Sequence, residues 1–150
     1  MEPVPNALQN RAKTGESAMN TEKLVAQAIE ARKKAYTPYS NFKVGAAVLT
    51  ANQEVFLGCN VENASYGLTN CAERTAIFKA VSEGEQEIVA IAIVGDTPGP
   101  VSPCGACRQV IAEFATEQTK VILANLKGDV QETSIQELLP GYFTAKDMEK

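Results

Sequence analysis

Two stretches of this 150-residue chain carry residues able to do chemistry together. Cys71-Ala72-Glu73 places a thiol two residues before a carboxylate, and further along Pro103-Cys104-Gly105-Ala106-Cys107 supplies a close pair of thiols behind a proline. Three thiolates suit Zn2+ and leave a fourth tetrahedral position open for water. A carboxylate beside that water can serve as general acid and base, which gives Glu73 the catalytic role. Arg74 and Arg108 each lie close enough to a cysteine to donate to the thiolates, and a solvated helix face is an equally good reading of either. Arg74 is the better candidate because it follows Glu73 directly.

Composition narrows the alternatives. With 45% hydrophobic residues the chain has material for one domain with a core and is too short for two. The net charge is −4, and the longest basic run is Arg32-Lys33-Lys34, so no basic stripe for polymeric nucleic acid is expected. A small, weakly charged ligand fits better. The chain has no histidine, which excludes Ser-His-Asp and Cys-His hydrolases, histidine-ligated metals and imidazole catalysis. Four cysteines without a signal peptide or membrane span read as metal binding or catalysis in a cytoplasmic setting. Residues 1–18 are polar and read as a disordered extension or leader ahead of an original start at Met19, with the catalytic domain over 19–150.

Three rival readings of the cysteines remain in view. They could be buried core residues, since free cysteine packs as a small hydrophobe. Cys104 and Cys107 could be a redox pair, but Pro103, the absence of tryptophan and the matched Cys71 to Glu73 stretch count against it. Cys59 could close a structural zinc site, as in a non-catalytic interaction domain. It ends a strand, lacks a Cys-x-x-Cys partner, and is read as core.

The elements that must position these groups follow from periodicity. Asn20 or Thr21 caps a helix running to about Ala35, stopped by Thr37-Pro38. Phe42 to Leu49 alternates as a strand with one face more deeply buried than the other, and Val55 to Cys59 returns as its hairpin partner. A polar loop from Asn60 to Asn70 ends at Cys71, where a helix begins that Gly84 stops. Ile88 to Val94 reads as a central strand buried on both faces. Cys104 to Glu117 is a second helix and Val121 to Leu123 a further strand, parallel to the first by the usual crossover. Gly128 to Thr133 adds an edge strand. Ser134 to Glu137 is a capping box for a short helix, and the tail after Thr144 is expected to fray. The fold class is α/β, a three-layer α/β/α sandwich around a mixed sheet of about five strands. Both cysteine clusters then sit at helix starts, whose partial positive charge favours thiolates.

Four motifs also carry a resemblance: Phe42-Lys43-Val44-Gly45-Ala46-Ala47, Gly58 to Tyr66, Cys71-Ala72-Glu73-Arg74-Thr75-Ala76, and Ser102 to Gln109. Together they resemble the homotetrameric cytidine deaminases of the three-cysteine type, from about Met19 to Phe143. The resemblance implies a cytidine deaminase-like fold and the hydrolytic deamination of cytidine and deoxycytidine to uridine and deoxyuridine, with ammonia released, in pyrimidine salvage. It implies one zinc per subunit on Cys71, Cys104 and Cys107, with Glu73 shuttling protons beside a zinc-bound hydroxide. It implies that Asn60 and Glu62 hold the ribose hydroxyl, that Phe42 lines the pocket, that the Ala72 N–H meets the base O2, and that the Ser102 carbonyl receives the amino group. Tyr66 and Phe143 would be contributed across subunit boundaries of a homotetramer. From the residues alone, Asn60 reads equally well as a turn former. Glu62, in a loop without basic residues, suits a free hydroxyl rather than phosphate and so argues against a nucleotide substrate.

Overall fold

The computed structural model describes residues 17–149. Helix α1 (Ser17–Arg32) is followed by the hairpin β1 (Val44–Thr50) and β2 (Val55–Cys59), then α2 (Ala72–Ser82), β3 (Ile88–Gly95), α3 (Gly105–Phe114), β4 (Ala115–Asn125), β5 (Val130–Thr133) and the short α4 (Ile135–Leu138). The sheet order is β2-β1-β3-β4-β5. β1 runs antiparallel to β2 and β3, β3 parallel to β4, and β5 antiparallel to β4, which makes the expected mixed five-stranded sheet. No helix among the described residues is long and apolar enough to cross a membrane.

Side-chain size decides which helix lies on which face. Ala46, Val48, Ile91, Ile93, Val121 and Leu123 project to the side covered by α2, α3 and α4, where Ala76, Ile77, Ile111 and Ile135 meet them. Ala47, Ala90, Ala92, Val94, Ile122 and Ala124 project to the other side, where Leu24 and Ala28 of α1 pack. The small residues let α1 come close. A Cβ on Gly45 would lie 2.0 Å from the Ala28 carbonyl oxygen. β1 is therefore covered on both faces rather than more deeply on one, because each face carries a helix.

Four other expectations are corrected. α1 begins at Ser17 and ends at Arg32, and Lys33 to Ala35 continue as i→i−3 turns instead of helix. The expectation for residues 1–18 lies, apart from Ser17 and Ala18, outside the described residues. The second cysteine helix stops at Phe114, and β4 starts at once. Ile88 pairs with Ala115 but Ala90 with Lys120, so β4 holds extra residues across that step. The Thr119 hydroxyl closes this bulge on the Ile88 carbonyl at 2.6 Å. Pairing with β3 overrides a stretch whose sequence contains no helix stop. At α4, Ser134 accepts from the Glu137 N–H while the Glu137 carboxylate accepts from Thr133, so the box is half made. The reciprocal box belongs to Thr144 and Asp147, which order Ala145–Met148 as a 3-10 turn where fraying was expected. Gly84 stops α2 as expected, at φ +93. The Gly84 and Glu85 N–H groups close on Val81 and Ala80 in a Schellman arrangement.

Candidate active site

α2 and α3 present their N-terminal ends to one another. Cys71 is the N-cap of α2, Cys104 is the N-cap of α3, and Cys107 lies one turn into α3. The three sulfur atoms fall within 4.8 Å of one another, and no other such cluster of metal-ligating side chains occurs among the described residues. The Cys71 and Cys104 sulfurs are 3.9 Å apart. Tetrahedral thiolates at a Zn–S distance of about 2.3 Å would lie about 3.8 Å apart, so both donor chemistry and spacing fit zinc. Cys59 stands outside the cluster at the end of β2, which leaves the closed four-sulfur reading without its fourth ligand.

The electrostatics suit a cation. The hydrogen bond from the Cys107 thiol, with Arg74 assisting against burial, lowers the Cys71 pKa to about 5. Cys107 is correspondingly raised by donating that hydrogen bond and by burial. The Arg74 guanidinium donates to the Cys71 sulfur at 3.3 Å. Arg108 does something else. It donates to the Pro103 carbonyl at 2.9 Å, the Leu138 carbonyl at 2.6 Å and the Ser102 hydroxyl at 2.7 Å, tying the loop before Cys104 to α4. Of the two arginines it is Arg74 that bonds a thiol, while the Arg108 donors go to oxygen.

Glu73 is the second residue of α2 and is 4% exposed. Burial raises its carboxyl above the ordinary range, the Cys71 charge adds to this, and its own backbone N–H, the Cys107 thiol and Arg74 oppose it. A buried acid beside the Cys71 and Cys107 sulfurs is well placed to hold a proton. Ala72 is fully buried at the first position of α2, where geometry leaves its N–H without an intrahelical acceptor.

The loop before Cys71 forms a second group. Asn60 is 8% exposed, its Oδ1 accepts from the Val44 N–H at 2.9 Å and its Nδ2 donates to the Phe42 carbonyl at 2.8 Å. One amide N–H stays available for a ligand. Glu62 accepts from the Tyr39 and Ser40 N–H groups, each at 3.0 Å, and from the Ser40 hydroxyl. Its carboxyl is held below the usual range, the Ser40 hydroxyl being the largest cause. Tyr66 meets the Tyr39 ring edge-on at 6.0 Å. Tyr39, Ser40, Glu62, Tyr66 and Thr69 line a cleft of about 400 Å³. Phe42 is partly exposed beside Gly95. Backbone bonds pair Val61 with Asn70, and the Asn70 amide reaches the Thr75 hydroxyl, which donates to the Cys71 carbonyl. Phe143 is exposed, and its carbonyl accepts from Gln109 of α3 at 2.9 Å.

Sequence reasoning missed Ser40, Tyr39, Asn70, Thr75 and Gln109. Tyr39, Ser40 and Gln109 act through residues distant in the chain and Asn70 through backbone pairing with Val61, while Thr75 bonds locally to Asn70 and the Cys71 carbonyl; only the Asn70-Cys71 adjacency was a visible signal.

Comparison with known proteins agrees with this site. Residues 18–123 match the family described as the cytidine and deoxycytidylate deaminase zinc-binding region. A cytidine deaminase of Halalkalibacterium halodurans is 62% identical over 130 residues, covering 87% of this chain and 98% of that protein. A crystal structure of cytidine deaminase from Burkholderia pseudomallei is 56% identical with a TM-score of 0.79, covering 81% of this chain and 98% of that one. One from Mycobacterium tuberculosis is 38% identical with a TM-score of 0.71, covering 81% and 95%. Matches of this depth and span leave one placement: the chain belongs to the zinc-binding cytidine deaminase family.

Proposed function

We propose that this protein deaminates cytidine and deoxycytidine hydrolytically, giving uridine and deoxyuridine and releasing ammonia. The observation that carries the reading is the convergence of three cysteine sulfurs at two helix N-termini with the buried Glu73 carboxyl beside them. Cys71, Cys104 and Cys107 would hold Zn2+. Bound zinc supplies Lewis acidity and brings a coordinated water toward ionisation near neutral pH.

The chain's own groups account for the remaining chemistry. Glu73 accepts a proton from water and passes it to N3 of the base, so that oxygen adds at C4 without a build-up of charge on the ring. The same carboxyl then takes the remaining proton from the oxygen added at C4 and delivers it to the amine as the C4–N bond breaks, leaving a C4 carbonyl and ammonia. Arg74 offsets the charge of the thiolates. The Ala72 N–H binds the base O2 and the Ser102 carbonyl accepts from the amino group, which sets the orientation of C4. Asn60 and Glu62 receive the sugar hydroxyl, and Phe42 lines the base pocket. Glu62 carries negative charge where a phosphate would sit, which favours nucleosides over nucleotides. Phe143 and Tyr66 are exposed and suit completion of neighbouring sites in a homotetramer. The setting that fits is cytoplasmic pyrimidine salvage.

The deciding experiment replaces Glu73 with Gln. The variant is expected to retain zinc and its melting temperature while kcat for cytidine, followed by ultraviolet absorbance, falls by roughly 10²–10⁴-fold. Undiminished turnover would remove Glu73 from the proton path.

A further inference from the structure

The segment between Thr37 and Val44 lies beside the sugar-binding groups but contributes more than Phe42. Asn41 adopts φ +56, and its N–H closes on the Thr37 carbonyl at 3.0 Å, which turns the chain sharply after Ser40. This turn brings the Ser40 hydroxyl under the Phe42 N–H, from which it accepts at 3.0 Å. The same hydroxyl donates to Oε2 of Glu62, while the Ser40 and Tyr39 N–H groups donate to Oε1. One oxygen atom thus joins the sugar-side carboxylate to the backbone of the base-side phenylalanine. Asn60 completes the frame by holding the Phe42 carbonyl and the Val44 N–H.

We propose that Ser40 is a positioning residue for substrate selection, locking Glu62 and Phe42 into one unit so that the carboxylate offers a fixed acceptor site to a sugar hydroxyl. A carboxylate has about four acceptor sites. Two on Oε1 and one on Oε2 are filled from the 39–40 segment, so the remaining Oε2 site accepts one ligand donor. Without the Ser40 hydroxyl the carboxylate pivots about its Oε1 bonds and meets the ligand hydroxyl in several geometries, none held. This inference rests on the reading of Glu62 as the sugar contact.

The test compares wild type, Ser40→Ala, Ser40→Thr and Glu62→Ala, all zinc-loaded, on cytidine, deoxycytidine and 2′,3′-dideoxycytidine. Ser40→Ala is expected to lower kcat/KM for cytidine and deoxycytidine roughly tenfold, the loss falling on KM, as for removal of a hydrogen bond to a charged group. On dideoxycytidine, which lacks the ring hydroxyls, the loss is expected to stay within about twofold, because the two deletions address one interaction. Ser40→Thr keeps the hydroxyl and restores most of the KM. An equal loss on all three substrates, or none on any, overturns the proposal while leaving Glu62 in place, provided Glu62→Ala narrows the gap that wild type shows between cytidine and dideoxycytidine. If Glu62→Ala keeps the wild-type gap between cytidine and dideoxycytidine, the sugar-contact reading falls, and the Ser40 proposal falls with it.

Discussion

Replacing Gly58 with Ala probes the contact that sets the position of the zinc helix. Gly58 lies on β2 opposite Ala46, directly beneath α2. A Cβ there would meet the Ala76 nitrogen at 2.4 Å, the Ala72 carbonyl oxygen at 2.6 Å and the Ala76 Cα at 2.9 Å. Ordinary non-bonded contacts lie at about 3.5–4.0 Å, so strand and helix must part by roughly 1 Å. All three atoms are helix backbone, which no rotamer change can move aside. Overpacking typically costs about 1–3 kcal/mol, and the upper end applies here. The displaced helix carries Cys71 at its N-cap and Glu73 at its second position, and a shift of about 1 Å in such groups can cost about 10²-fold in rate. The expected result is a loss of about 3 kcal/mol in urea unfolding of the zinc-loaded protein, with kcat/KM for cytidine reduced by about a hundredfold. Gly99→Ala, where a Cβ meets nothing within 4 Å, serves as the stability control and should stay within about 0.5 kcal/mol. A Gly58→Ala protein as stable and as active as wild type would refute the reasoning.

Two further predictions concern metal and acid. Cys104→Ala removes one of the three sulfurs; purified protein should hold far less zinc by atomic absorption and melt at lower temperature, because metal binding is coupled to folding. Wild-type zinc content in that variant would remove Cys104 from the ligand set. Glu85 accepts from the buried Thr50 hydroxyl at 2.6 Å and from the Asn52 amide at 2.8 Å, and these bonds lower its pKa, Thr50 contributing most. A depressed carboxylate stabilises the fold above its unfolded pKa and loses that contribution as pH falls through the folded value. The stability gap between wild type and Glu85→Gln should therefore be steady above about pH 5 and shrink below about pH 4. A gap that widens toward acid would show the sign to be wrong.

Much of the site was legible in the chain itself. Cys-x-Glu and Pro-Cys-x-x-Cys place their groups within a turn of a helix start, and helix geometry over so few residues needs no help from the rest of the fold. The uninterrupted run Ile88 to Val94 announced a strand covered on both faces, because only such a strand excludes polar residues entirely. The absence of histidine excluded whole mechanisms without any structure.

Other features depended on groups far apart in sequence. Nothing in Arg108 itself says that its donors go to Pro103, Ser102 and Leu138 rather than to sulfur; α4 has to fold back across α3 first. The Ser40 hydroxyl acquires meaning only when Glu62, on another loop, is brought beneath it. The end of α3 at Phe114 was set by backbone pairing of Ala115 with Ile88, a long-range hydrogen-bond demand that outweighs the weak local preference of Thr116 to Lys120 for any one conformation. Short-range covalent geometry placed the ligands along each helix end, whereas sheet order and layer packing decided that the two ends would face one another.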